Sequence, residues 1–233
     1  MAKYDLVLFD MDGTIVDSDE MLFHSLFDLY DKYNGGKRKP KEELIKYSGP
    51  PIEDSLRIEF PHVEHKVIVE EYIKASAYYS PIYIVPMGNI IEVCKKLKDA
   101  GIKIGIVTNK HTPNSIKTLE ITHMENLFDV LIGYNQVENH KPAGDGIIKA
   151  MELSNIFDKS KVIYVGDNNI DYFTAVNAGV DSAIVNWGPR ASTINVNPTY
   201  KIDSFDELLE AVLWANLMMQ LLLAQVLAAL VRQ

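Results

Sequence analysis

Residues 6–19, LVLFDMDGTIVDSD, decide the fold. An apolar run over residues 4–9 stops abruptly at Asp10, and Asp12 and Gly13 follow at once. A short, continuous apolar run that ends in a polar loop reads as a strand buried on both faces. The same design recurs downstream. Residues 102–107 (IKIGIV) end in Thr108-Asn109-Lys110, and residues 162–165 (VIYV) end in Gly166-Asp167. Weaker runs lie at 130–133 and 183–185. Helical patterns fall between them, at about 89–100, 113–122, 144–153 and 170–179. Strands alternating with helices predict an α/β fold, a doubly wound parallel sheet. Such sheets bind ligands beyond the carboxyl ends of their strands, where these polar clusters fall.

Residues 17–85 break the rhythm. Periodic apolar stretches at 21–33, 52–60 and 67–79 are separated by turns such as GGKRKPKEE and YSGPP. This predicts a small all-helical domain over 17–85, inserted into a core domain made of 1–16 and 86–213. No internal repeat or low-complexity linker is evident.

The 233 residues are 47% hydrophobic and 24% charged, the composition of a soluble globular protein with a real core. A net charge of -9 argues against nucleic acid as a partner, because binding a phosphate backbone needs a basic face. It also means that an anionic substrate needs local cations or a metal. One cysteine, Cys94, rules out an intrachain disulfide and suits a reducing, cytoplasmic setting. Cys94 sits on an amphipathic helical pattern and reads as core, not as a reactive thiol. The first ten residues carry no signal-peptide pattern.

Each strand-end cluster has a chemical reading and a bland one. Asp10 can attack phosphorus as a carboxylate nucleophile, and Asp12 can move a proton to and from the reacting oxygens. The pair can equally be an acidic turn before a helix. Thr108 and Asn109 can hold phosphate oxygens or cap the helix before Pro113. Lys141 can neutralise a phosphorylated aspartate or belong to an ordinary Lys-Pro loop. Asp167 and Asp171 can hold Mg²⁺ through hard oxygen ligands or cap the helix that follows.

Taken in order, LFDMDGTIVDSD, IVTNK, HKPAGDG and YVGDNNIDYFTAVNAG resemble the haloacid dehalogenase superfamily over about residues 1–213. The pattern is most similar to its phosphoglycolate phosphatase-like hydrolases, and the helical insert resembles their C1 cap. The resemblance implies an enzyme: a Mg²⁺-dependent phosphohydrolase that cleaves a small phosphate monoester through an aspartyl-phosphate. It implies that Asp10 is the nucleophile and a metal ligand. Asp12 becomes the general acid/base and offers its backbone carbonyl to the metal. Thr108 and Asn109 bind the phosphoryl group, Lys141 stabilises Asp10 and the transferring phosphate, and Asp167 and Asp171 serve the metal. An acid at position 12 separates phosphoryl transfer from dehalogenation. Two departures stand out: Asn168 replaces the usual Ser/Thr after Gly-Asp, and Asp145-Gly146 stands where a Pro-Asp-Pro run is common. For a second anionic group of the substrate, the insert offers Arg57 first, then Lys37-Arg38-Lys39, His62 and His65.

Residues 214–233, WANLMMQLLLAQVLAALVRQ, carry no acid and a single arginine. A helix this apolar must be covered on most sides. The stretch from 217 to 231 falls short of the roughly 20 residues of a bilayer span. It reads as a long C-terminal helix that makes a homo-oligomer, or as an engineered graft beyond a natural end near residue 213. The competing function class follows from it: a scaffold or assembly protein whose α/β fold merely carries an oligomerising helix.

Overall fold

The computed structural model describes residues 2–213. The chain runs β1 (Leu6–Phe9), β2 (Val16–Asp17), α1 (Asp19–Tyr33), α2 (Lys41–Leu44), α3 (Ile52–Glu59), α4 (His65–Tyr83), β3 (Val85–Pro86) and α5 (Ile90–Asp99). It continues as β4 (Lys103–Val107), α6 (Thr112–Ile121), β5 (Val130–Ile132), α7 (Asp145–Leu153), β6 (Val162–Gly166), α8 (Asn169–Ala178), β7 (Asp181–Val185) and β8 (Tyr200–Ile202). Residues 205–213 are helical.

Six strands form one parallel sheet in the order β5-β4-β1-β6-β7-β8. The side chains of β1 alternate between faces, as strand geometry requires. Val7 and Phe9 join a cluster with Ile90, Val93, Cys94 and Leu97 of α5 and with Leu208 and Val212. Leu6 and Leu8 join the opposite cluster, with Ile147 and Met151 of α7 and Ala175 and Ala178 of α8. Both faces of β1 are therefore dry, which is why its sequence is uninterrupted by polar residues. Cys94 is fully buried in the first cluster, where burial pushes its thiol up to about 12.

Register sets where the chain leaves the sheet. Phe9 lies level with Ile106 on β4 and with Val165 on β6. One or two residues later the three strands release Asp10, Thr108 and Asp167 at one edge. The polar loops of the sequence therefore converge because the central strands end in step.

The insert leaves the core at β2 and returns at β3, which pair antiparallel. Between them, α1–α4 pack around Leu22, Leu26, Leu29, Tyr30, Leu56, Phe60, Ile68 and Tyr72, a cluster separate from the two that flank the sheet. Inside this cap, the nearly buried Glu59 carboxylate accepts from Tyr30, Tyr47 and Lys39.

Three elements go beyond the sequence expectation. β2 and β3 have two residues each and β8 has three, too few for a period to register. The helix from 205 starts with the Glu207 N–H donating to Ser204 Oγ at 3.3 Å. Its expected continuation as an oligomerising helix over 214–233 lies outside the described residues. No helix among the described residues is long and apolar enough to cross a membrane.

Candidate active site

Asp10 follows β1 directly, and only 3% of it is exposed. Lys141 reaches it from the loop before α7, with Nζ 2.8 Å from Asp10 Oδ1 and 2.7 Å from Asp171 Oδ1. The same ammonium donates to the Tyr164 hydroxyl at 3.1 Å, and that hydroxyl donates to the Val107 carbonyl at 2.8 Å. Tyr164 belongs to the β6 face that packs on α7, so the strand's alternation aims it at Lys141.

Asp171 stands in the first turn of α8, where it completes the capping box with Asn168 that the helix-cap reading expects. Its Oδ2 accepts the backbone N–H groups of Asp167 and Asn168 at 3.1 and 3.0 Å, while Oδ1 faces Lys141. Both oxygens are engaged, which suits a residue that orients its neighbours. Gly166 makes this possible, since a β-carbon there would sit 2.2 Å from the Asp171 side chain.

Carboxylate oxygens of Asp10, Asp167 and Asp171 can all lie within 4.8 Å of one another. Three buried acids this close, with hard oxygen donors, fit a Mg²⁺ ion. Their protonation equilibria report the same crowding. Burial pushes Asp10 up to about 7 against the pull of Lys141, with Asp171 and Asp167 adding repulsion. Burial likewise pushes Asp167 up to about 6, opposed by Arg190.

Asp12 faces elsewhere. Its Oδ1 accepts from Ser18 at 2.7 Å and from Lys110 at 2.8 Å. Burial alone would raise its pKa, but Lys110, Ser18 and Arg190 outweigh burial and hold it below the usual carboxylate range. The Asp12 side chain is not part of the three-acid group.

Above these residues lies a cleft of about 270 Å³ between core and cap. Asp10, Asp12, Thr108, Asn109 and Lys110 form its floor. Asn109 Nδ2 donates across it to the Gly49 carbonyl at 3.1 Å, and the His111 ring lies 3.5 Å from Glu53 of α3. The roof is different. Tyr47, Ser48, Pro50, Pro51, Tyr72, Ser76 and Ser80 line it, and Glu53 is the one charged residue that the cap supplies.

Arg57 does not reach this roof: it is exposed and is not among the lining residues. The N-terminus of α3 is what faces the cleft, through Ile52 and Glu53, and Arg57 follows Glu53 by four residues, roughly 6 Å of helix rise. The other basic candidates are engaged away from the cleft, Arg38 with Asp31 and Lys39 with Glu59. His62 sits on the Tyr33 carbonyl at 3.0 Å.

Sequence reasoning assigned no role to three residues that shape the site: Lys110, Tyr164 and Arg190. Arg190 is 6% exposed, bonds Asp167 through Nε and reaches Asp19 through Nη1 at 3.1 Å. It follows β7 within VNWGPR, so the strand-end logic that found the others points to it too. With these pairs in place, five clustered carboxylates (Asp10, Asp12, Asp19, Asp167, Asp171) face three cations (Lys110, Lys141, Arg190).

The haloacid dehalogenase-like hydrolase profile matches residues 7–185. The pyrophosphatase PpaX of Halalkalibacterium halodurans is 32% identical over 90% of this chain and 97% of its own. That of Bacillus cereus is 29% identical over 89% and 95%. Among solved structures, a predicted phosphatase from Clostridium acetobutylicum superposes with a TM-score of 0.76 at 26% identity, over 90% of this chain and 98% of that one. A predicted phosphoglycolate phosphatase from Haemophilus somnus shares the fold, with a TM-score of 0.81 at 20% identity and coverage of 90% and 98%.

Proposed function

The chain belongs to the haloacid dehalogenase-like hydrolase family and is a phosphatase of that family; from this premise we propose that it releases phosphate from a small phosphate monoester through an aspartyl-phosphate on Asp10, with Mg²⁺ required. The observation that carries the reading is the contact of Lys141 with Asp10, 2.8 Å apart, beneath a cleft wide enough for a small molecule.

Asp10 Oδ attacks phosphorus as the bond to the leaving oxygen breaks; Asp12, ionised in the free site, relays to that oxygen a proton brought in on the monoanionic ester. Asp12 then takes a proton from water as the water oxygen attacks the same phosphorus. The Asp10–phosphorus bond breaks and Asp10 returns as a carboxylate. Thr108 and Asn109 hold phosphoryl oxygens at the floor of the cleft. Lys141 favours the ionised form of Asp10 against the burial that pushes it up to about 7, and opposes the charge that grows on the phosphoryl group. Asp10 and Asp167, with the Asp12 carbonyl, would hold Mg²⁺, and Asp171 would orient them. The ion would supply charge neutralisation for an anionic nucleophile meeting an anionic substrate.

A second reading, pyrophosphate as substrate, is favoured by the names of the 32%-identical relatives and by Lys110, His111 and Lys117 on the core side of the cleft. One panel decides both: phosphate release with Mg²⁺ from an aryl phosphate, phosphoglycolate, a nucleoside monophosphate, a sugar phosphate and pyrophosphate. Turnover that vanishes in Asp10→Asn supports the enzyme reading. An inert wild type across the panel would favour the scaffold reading, and pyrophosphate far ahead of every ester would replace the monoester.

A further inference from the structure

Arg190, like Lys141, bridges two of the clustered acids. Its Nε bonds Asp167, and its Nη1 lies 3.1 Å from Asp19, the first residue of α1. Gly13, at φ +81°, leaves room for it, since a β-carbon there would lie 2.0 Å from Arg190 Nη2 and 2.4 Å from Asp167 Oδ2. A guanidinium keeps its proton at any working pH, so this positive charge is permanent. Asp167 also accepts from Thr14 at 3.3 Å, which leaves a second cation to share a carboxylate that already has partners.

We propose that Arg190 is a positioning residue that competes with Mg²⁺ for Asp167 and thereby sets the metal affinity of the site. The inference rests on the reading above in which Asp167 is a metal ligand. Two cations on one carboxylate repel, so the ion binds against the guanidinium. Asp19 makes the exchange feasible: the arginine gives up Asp167 without becoming an unpaired buried charge, because its other arm is already placed. The first helix of the cap therefore carries the anchor that the arginine keeps when metal is bound. Lys141 differs in this respect, since its carboxylate partners Asp10 and Asp171 both belong to the three-acid group that would hold the ion.

The test titrates Mg²⁺ alone into the full-length protein, read by calorimetry and by the shift in melting temperature, with no substrate present. Arg190→Met should bind Mg²⁺ at least about tenfold more tightly than wild type, because a charge a few ångströms from the ion is removed. It should also melt at a lower temperature in chelator. Arg190→Lys, which keeps the charge, should stay near wild type in affinity. An Arg190→Met protein that binds Mg²⁺ no more tightly than wild type overturns the proposal, as does a tightening shared by Arg190→Lys. Should Arg190→Met fail to fold in chelator, Asp19→Asn carries the test. It leaves the guanidinium on Asp167 alone and must weaken Mg²⁺ binding, and unchanged affinity overturns the proposal. Wild type that binds no Mg²⁺ overturns the metal reading itself, a result distinct from the others.

Discussion

The floor of the cleft and its roof are built on opposite plans. The floor crowds buried charges at the ends of strands that stop in step, each carboxylate answered by a cation. The roof, from Tyr47 to Pro51 and along α4, offers hydroxyls, prolines and aromatic rings, with Glu53 its one charge. Charge developing on a phosphoryl group calls for fixed, desolvated partners on rigid elements. Choosing among leaving groups calls for shape and a few polar contacts. The difference assigns chemistry to the sheet and selection to the insert.

The sharpest way to break this division is to remove Lys141. Lys141→Ala should cost about 10³-fold or more in kcat on any substrate, the scale of losing a preorganised electrostatic partner. A loss confined to some substrates would show that the floor also selects. Lys110→Met should cost less, about 10- to 100-fold. Lys110 helps to hold Asp12 below the usual carboxylate range. Its removal should therefore move the acidic limb of the pH–rate profile upward, and a fixed limb would detach Lys110 from Asp12. On the roof, Tyr72→Phe and Ser76→Ala should change the ranking of substrates by a few-fold through KM, and kcat on an aryl phosphate should hardly move.

The smallest effects separate floor and roof by pH. Asp10 and Asp167 have folded-state values of about 7 and about 6, above the usual 3.8. In chelator their contribution to stability is full below the unfolded value and is lost as pH rises through 6 and 7. Glu59 in the cap runs the other way. Burial raises it, but Lys39, Tyr30 and Tyr47 outweigh burial and hold it below 4.5, so its contribution is present above that value and is lost as pH falls. Melting temperatures in chelator should show Asp167→Asn flattening the neutral part of the pH curve. Glu59→Gln should lower stability by about 1–3 kcal/mol at neutral pH. If both variants shift the curve in the same pH range, the two regions do not titrate as separate units.

Much of the floor was legible in the sequence, because a buried parallel strand must be apolar and whatever follows it must be polar. Asp10, Thr108 and Asp167 announce themselves by that contrast, and Asp171 by its place in the first turn after it. Lys141 does not: it follows no strand, and only the family resemblance singles it out. The roof was illegible for a related reason. Tyr72, Ser76 and Ser80 are spaced by four on a helix whose other faces are also mixed, so nothing separates the cleft-lining face from solvent. Arg57 drew attention by its charge, yet Glu53 is the charged residue of α3 that lines the cleft, and Arg57 is exposed away from it. β8 and the β2–β3 pair were too short to carry a period, although the pair fixes where the cap is hinged to the core.

The central claim is that Asp10 carries the phosphoryl group. Rapid acid quench during turnover, reduction of acyl-phosphates with borohydride and peptide mapping by mass spectrometry would locate it. Homoserine should appear at position 10, dependent on substrate and Mg²⁺ and absent in Asp10→Asn. Homoserine at Asp12, or no reduced residue under conditions where phosphate is released, would contradict it.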